Sequence, residues 1–197
     1  MSVARSTSPN TFLSTVANGF SYSTSAIETN SEQYVYLPSD EIESISLEEV
    51  GRYSVFEIAK WFLSKGEMTH KKLQKLCYYA QAWCYALKGY RLADTDFQAW
   101  VHGPVSPVLW ERFKSAGFGI IRIQGHPQFR FSEDVVELLE NVWDTYGDKS
   151  GNALEALSHR EPPWRDARRG YGPNENCSIV ISPQMMASYY RSIYCGD

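Results

Sequence analysis

One segment, MTHKKLQKLCYYAQAWCYALKG at residues 68–89, constrains the fold more than any other part of the 197-residue chain. Thr69 is placed to cap a helix and Gly89 to end it. At 100° per residue, the apolar side chains between them fall within an arc of about 120°. These residues are Leu73, Leu76, Cys77, Ala80, Trp83, Cys84 and Leu87. The segment predicts an amphipathic helix with one face in a protein core, and it gives Leu73, Leu76 and Trp83 structural roles.

The rest of the body predicts more helices and a small β element. We expect helices at residues 54–65, after Ser106, after Ser132, from Asn152 to His159, within residues 164–170 and after Ser182. A short strand is expected at residues 97–101, and two more on either side of the Gly125-His126-Pro127 turn. The predicted fold class is therefore mainly α with a small β element (α+β), in a compact single helical domain.

The charge separates the chain into two parts. Residues 1–46 are rich in Ser and Thr, and they contain one basic residue and five acidic ones, which make up the whole net charge of −4. The 18 basic and 18 acidic residues of the remainder cancel. We expect a flexible extension over residues 1–46 and a helical domain over residues 47–197. The neutral body makes nucleic-acid binding unlikely, although a local basic patch stays open.

The four cysteines, Cys77, Cys84, Cys177 and Cys195, form no CxxC pair and have no histidine at zinc-ligand spacing. No apolar run approaches the 18 or so residues of a membrane span, and no signal peptide is visible. We therefore expect no metal, no membrane association, and free thiols in a reducing cytoplasm.

The start of the long helix breaks an electrostatic rule. His70, Lys71, Lys72 and Lys75 crowd the end where the helix dipole is already positive, and each misplaced exposed charge costs about 0.3–1 kcal/mol. A Lys–Tyr stripe opposite the core face predicts a surface for an acidic protein partner. Its candidate partner-binding residues are Lys71, Gln74, Lys75, Tyr78 and Tyr85, with His102 nearby. The alternative is a solvated face whose lysines pair with Glu57 or Glu67.

Two further strings contain the candidate histidines. In residues 100–105, WVHGPV, the Gly103-Pro104 pair fixes a turn after a strand, while Trp100 and Val105 anchor it to the core. In residues 159–164, HREPPW, His159, Pro163 and Trp164 form a proline-stiffened corner. These roles are structural, and we expect no catalytic residues. That interpretation predicts that no deep pocket of polar side chains surrounds His102 or His159.

The one dense basic run comprises Arg160, Arg165, Arg168 and Arg169. Arginines suit a helix C-terminus, so we interpret this run as a solvated helix end. Contact with phosphate or with an acidic protein is the alternative.

Three strings in the same order carry a family resemblance: MTHKKLQKLCYYAQAWCYALKG, FQAWVHGPVSPVLWERFKSAG and ALEALSHREPPW. Together they resemble the SocA-like or Panacea domain of phage-associated and genetic-element proteins, over about residues 54–190. Ser158 stands where the family often has Thr, and residues 1–46 lie outside the match.

The resemblance implies an antitoxin that neutralises a co-encoded toxin by direct protein–protein binding. The alternative it implies is an adaptor that delivers the toxin to a ClpXP-type protease, so that the partners would be a cognate toxin and an AAA+ protease. It supplies no catalytic residues and no cofactor. An enzyme that uses His102 or His159, and a repressor that binds its own promoter, are the other hypotheses.

Overall fold

The computed structural model describes residues 51–125 and 127–194, and it is mainly helical, as predicted. In chain order the elements are α1 (Val55–Lys65), β1 (Met68–Thr69), α2 (His70–Lys88), β2 (Gln98–Trp100), β3 (Gly103–Val105), α3 (Pro107–Phe113), β4 (Ile120–Ile121), α4 (Glu133–Tyr146), α5 (Gly151–Arg160), α6 (Pro162–Ala167) and α7 (Pro183–Tyr194). A short 3₁₀ helix, Lys114–Ala116, follows α3. The predicted flexible extension over residues 1–46 lies outside the described residues.

Helix α2 is the centre of the domain. Its start is capped as predicted, because the Thr69 hydroxyl accepts a hydrogen bond from the Lys72 backbone N–H. Helices α1, α4, α5 and α7 all pack against it, and α7 does so most extensively. Every residue from Leu73 to Ala86 is buried. The predicted core face is buried apart from Leu87, which is half-buried. The expectation of an exposed face opposite to it is wrong, because neighbours cover the helix on all sides.

The β structure is limited to two short antiparallel pairs. Strands β2 and β3 form a hairpin in which Gln98 lies opposite Val105 and Trp100 opposite Gly103. Strand β4 pairs with β1 just before α2 begins. Of the two strands expected around Gly125-His126-Pro127, the first forms as β4 but pairs with β1, and no second strand forms in described residues 127–131. His126 itself lies outside the described residues.

A buried carboxyl group ties α7 to α2. The Tyr190 hydroxyl donates a hydrogen bond of 2.7 Å to Glu161, and the Tyr79 hydroxyl donates to both of its oxygens at 3.4 Å. The ring of Tyr79 stacks on that of Tyr146, whose hydroxyl accepts a bond from the Trp83 indole N–H. Burial raises the pKa of Glu161 to about 7, although the tyrosine hydroxyls favour its ionised form.

We predict that Glu161→Gln flattens the pH dependence of stability. The folded chain holds the Glu161 proton more tightly than the unfolded chain, so ionisation above the ordinary pKa near 4.5 destabilises the fold. Between pH 5 and pH 7 the wild-type free energy of unfolding should fall by about 2 kcal/mol relative to that of Glu161→Gln. Urea unfolding at both pH values measures this. The exposed Glu111→Gln serves as the control, and parallel curves for wild type and Glu161→Gln would contradict the prediction.

Candidate functional site

A large cleft opens beside the start of α2, with a volume of about 1260 Å³. Helices α2, α3 and α5, the β2–β3 hairpin and the loop before α7 surround it. Its lining residues are Thr69, His70, Lys71, Gln74, Lys75, Trp100, Val101, His102, Val105, Trp110, Gly117, Phe118, Ser150, Gly151, Asn152, Asn174, Asn176, Cys177 and Ser178. None of these described residues is acidic, whereas two are lysines and two are histidines.

Two helix N-termini meet at the cleft. Helix α5 begins at Gly151, where Ser150 accepts a hydrogen bond from the Ala153 backbone N–H. A Cβ atom on Gly151 would lie 3.0 Å from the Lys72 backbone nitrogen, so the absence of a side chain lets α5 begin against the first turn of α2. Because the N-terminus of each helix carries a partial positive charge, this contact concentrates positive potential at one place.

The lysines at the start of α2 have different partners. The Lys72 ammonium donates to the Gly147 carbonyl at 2.6 Å, just beyond the last residue of α4, where a cation opposes the negative end of the dipole. The Lys71 ammonium donates to Glu155 at 2.5 Å and to Asn152 at 2.9 Å. Lys72 therefore has a structural role, whereas Lys71 stays at the cleft.

His102 joins Lys71 at the same carboxylate. Its Nδ1 atom lies 3.0 Å from Glu155, and its side chain is 72% exposed. Burial acts to raise the pKa of Glu155, but the hydrogen bonds from Lys71 and His102 together hold that pKa below its usual value. Glu155 therefore offsets part of the positive charge from behind the cleft lining.

Lys75 lies at the base of the cleft and is only 1% exposed. Its ammonium donates a hydrogen bond of 3.0 Å to the Pro104 carbonyl. A Cβ atom on Gly103 would lie 2.6 Å from Lys75 Cε, and the φ of Gly103 is +93°, so glycine is required for two reasons. Burial lowers the pKa of Lys75 to about 7, and Glu155 opposes that shift.

Gln74 fastens the hairpin from the next position on α2. Its amide donates to the Ser106 carbonyl at 3.1 Å and accepts from the Ser106 N–H at 2.8 Å. The same amide nitrogen lies 3.0 Å from Nε2 of His70, whose pKa burial lowers. Together with Lys75, Gln74 fixes the segment from Gly103 to Ser106 against α2.

Aromatic side chains form one wall of the cleft. The rings of Trp100 and Trp110 lie 5.6 Å apart between centroids, and Phe118 is 97% exposed at the rim. Behind Trp100, its carbonyl accepts the indole N–H of Trp164 at 2.9 Å. The Trp164 ring stacks on His159 at 3.9 Å between centroids.

The structure divides the predicted partner-binding residues into three groups. Lys71 and His102 line the cleft and are accessible to solvent. Gln74 and Lys75 are buried at its base and bond to the hairpin. Tyr78 and Tyr85 are buried elsewhere among the helices. The expectation of an exposed Lys–Tyr stripe is therefore wrong, because α7 and the hairpin cover that face of α2.

The predicted structural residues are placed less uniformly. Leu73, Leu76, Trp83, Pro104, Val105 and Pro163 are buried. Trp100 is only half-buried, and it lines the cleft instead of anchoring the turn in the core. The expectation that no polar pocket adjoins His102 is wrong, because the apposed helix starts leave space beside the hairpin.

Arg168 corrects the interpretation of the basic run. Arg160, Arg165 and Arg169 are exposed, but Arg168 is 6% exposed. Its guanidinium donates to the carbonyls of Ala99, Gly172 and Glu175 at 2.7–2.9 Å. It therefore joins β2 to the loop that forms the far side of the cleft. No spacing signal in the sequence distinguishes it from its three neighbours.

Within residues 51–125 and 127–194, no group of three or more His, Cys, Asp or Glu side chains could hold a metal ion. No helix in that part of the chain is both long and apolar enough to cross a bilayer. The thiols of Cys77, Cys84 and Cys177 are free and buried, and burial raises the pKa of Cys77 and Cys84.

Comparison with known proteins gives two matches. A family model described as "Antitoxin SocA-like, Panacea domain" matches residues 73–165, which include most of α2, the hairpin and the corner at Trp164. Antitoxin SocA of Caulobacter vibrioides (strain NA1000 / CB15N) is 30% identical over 134 residues, which cover 60% of this chain and 70% of that protein. No solved structure matches.

We predict that the stability of the wild type rises with pH relative to Lys75→Met. The folded chain disfavours the charged amine, so the pKa near 7 lies below the ordinary value of 10.5. Between pH 7 and pH 9 the wild-type free energy of unfolding should therefore gain about 2 kcal/mol over that of the variant. Denaturant unfolding at the two pH values measures the difference.

The titratable neighbours of Lys75 do not produce the same change in stability between pH 7 and pH 9. Lys71, Glu155, His70 and His159 all influence Lys75 or are influenced by it. Burial lowers the pKa of both histidines below 6.5, so both are already largely neutral at pH 7 and their charge changes little above it. Lys60→Met, at an exposed position of α1, is the matched control. A constant difference between wild type and Lys75→Met would show that Lys75 stays charged.

Proposed function

The chain belongs to the SocA-like Panacea antitoxin family, and from that premise we propose that it neutralises a co-encoded toxin by binding it directly. The observation that carries this proposal is its 30% identity, over 70% of that protein's length, to a protein named Antitoxin SocA. Family membership supports an antitoxin role, while direct binding of the toxin is our inference.

We propose that the toxin docks on the segment from α3 to β4. Four large apolar side chains are exposed there: Val108 at 48%, Trp110 at 38%, Phe118 at 97% and Ile120 at 51%. Clustered exposed apolar residues are typical of protein-binding surfaces, and aromatic residues contribute most to such contacts. Of the partner-binding residues predicted from sequence, Lys71 and His102 are accessible enough to add polar contacts beside this surface.

We propose a binding function and not catalysis, although a polar cleft adjoins His102. In the described residues, His102 bonds to Glu155 and the ring of His159 stacks on Trp164. Neither imidazole forms a hydrogen bond with a serine hydroxyl or a cysteine thiol there, so no nucleophile–base pair is assembled. A cleft without such a pair fits a binding site.

We predict that Phe118→Ser weakens toxin binding at least tenfold and leaves the melting temperature unchanged. The side chain is almost fully exposed, so the fold does not depend on it, whereas its burial by a partner would contribute to affinity. Titration calorimetry with the protein encoded next to this chain measures the affinity, and co-expression growth measures neutralisation. Met185→Ser, a substitution of another exposed apolar residue on α7, is the control.

The possible outcomes distinguish the proposed docking surface from the proposed neutralisation of the toxin. Equal affinity of Phe118→Ser and wild type would reject this surface and leave the antitoxin role intact. A toxin that stays active and unbound beside the wild type would reject direct neutralisation. If the toxin is instead degraded in cells, and deletion of residues 1–46 stabilises it without weakening binding, the protein acts as a protease adaptor.

A further inference from the structure

We propose that the cleft between α2 and α5 is a binding site for a phosphate-bearing small molecule of the nucleotide class. The phosphates would lie at Lys71 and Lys75, and the base would lie against Trp100 and Trp110. This site goes beyond toxin binding and does not depend on it.

The charge of the cleft selects an anion. Its described lining contains two lysines, Lys71 and Lys75, and no acidic residue. Glu155 contacts Lys71 and His102 from behind and offsets one positive charge. Cations at a helix N-terminus destabilise the helix, and the partners of Lys71 and Lys75 within the fold offset only part of that cost. A bound anion would convert that cost into a favourable interaction.

The backbone adds to the same potential. The N-termini of α2 and α5, helices of 19 and 10 residues, both line the cleft through Thr69–Lys71 and Ser150–Asn152. Phosphate groups bind readily at such ends, where the dipole is positive. Two converging helix starts and two lysines suit a ligand with more than one negative charge, such as a di- or triphosphate.

Lys75 also has hydrogen-bond donors that a ligand in the cleft could use. A lysine ammonium has three N–H donors, and in the described residues one of them is bonded, to the Pro104 carbonyl. The side chain is 1% exposed and still lines the cleft, so bulk water hardly reaches the remaining donors. Burial disfavours the charged form of this amine, and a phosphate oxygen would stabilise that form by pairing with it and accepting a hydrogen bond.

The rest of the lining fits a base and a sugar. Trp100 and Trp110 form an aromatic wall, on which a nucleobase could stack. Exposed amides and a hydroxyl on the opposite loop, those of Asn174, Asn176 and Ser178, can bond to a sugar or to a base edge. A volume of about 1260 Å³ is ample for a nucleotide.

Titration calorimetry of the full chain with ATP, ADP, AMP, adenosine and pyrophosphate, without added magnesium, tests the proposal. We expect affinity to rise with each added phosphate and adenosine to bind at least a hundredfold more weakly than ATP. Lys71→Met and Lys75→Met should each weaken ATP binding tenfold or more. Lys60→Met, the same change at an exposed position outside the cleft, should leave it unchanged. Trp110→Ala should weaken ATP and spare pyrophosphate.

Four results would overturn this assignment. Adenosine that binds as tightly as ATP would remove the phosphate site. Unchanged ATP affinity in both Lys71→Met and Lys75→Met, or equal loss in Lys60→Met, would show unspecific attraction. The absence of any heat at millimolar ATP and pyrophosphate would reject the site altogether. Pyrophosphate that binds as tightly as ATP, with Trp110→Ala without effect, would reject the nucleotide class. The proposal on toxin binding is tested separately, by the toxin affinity of Phe118→Ser, and none of these four results decides it.

Discussion

The fold depends on one constraint, which is that α2 is enclosed on every side. A helix in that position cannot leave its polar side chains to water, so several of them bond to groups within the domain, although the amide nitrogen of Gln81 has no hydrogen-bond partner in the described residues. Gln74 and Lys75 find their partners in the backbone of the β2–β3 hairpin, at Ser106 and Pro104. Gln81 accepts the Ala93 backbone N–H at 2.8 Å. These bonds fix loops that would otherwise pack loosely, and the hairpin they hold is one wall of the cleft.

The same enclosure explains why separate sequence strings occur together. The first string supplies Gln74 and Lys75, and the second supplies Gly103 and Pro104. The third supplies Trp164, whose indole N–H donates a hydrogen bond to the Trp100 carbonyl of the hairpin. Gly103 has to be glycine because Lys75 lies where a side chain would begin. Each string is therefore the steric or hydrogen-bonding complement of another in this fold.

Electrostatic cost is concentrated at one end of this arrangement. The starts of α2 and α5 touch at Gly151, and two lysines, a histidine pair and the helix dipoles share the space in front of them. The Lys72 ammonium bonds to the Gly147 carbonyl at the end of α4 and does not line the cleft. Glu155 offsets part of the positive charge of Lys71. Proteins tolerate such local conflict mainly where a ligand or a partner relieves it. The exposed aromatic residues Trp110 and Phe118 lie beside these positive charges, because they line the same cleft.

The sequence by itself determined the helices and indicated the family. Capping residues such as Thr69, Ser106 and Pro107 fixed the helix starts, because local hydrogen bonding is encoded within a few residues. It also identified the misplaced positive charge at Lys71 and Lys75. Only the tertiary structure decided which polar residues are buried, since periodicity reports one buried face and not how many neighbours surround a helix. That is why Tyr78 and Tyr85 proved to be core, why Arg168 differs from the arginines around it, and why the cleft, formed by residues up to about a hundred positions apart, was invisible in the chain.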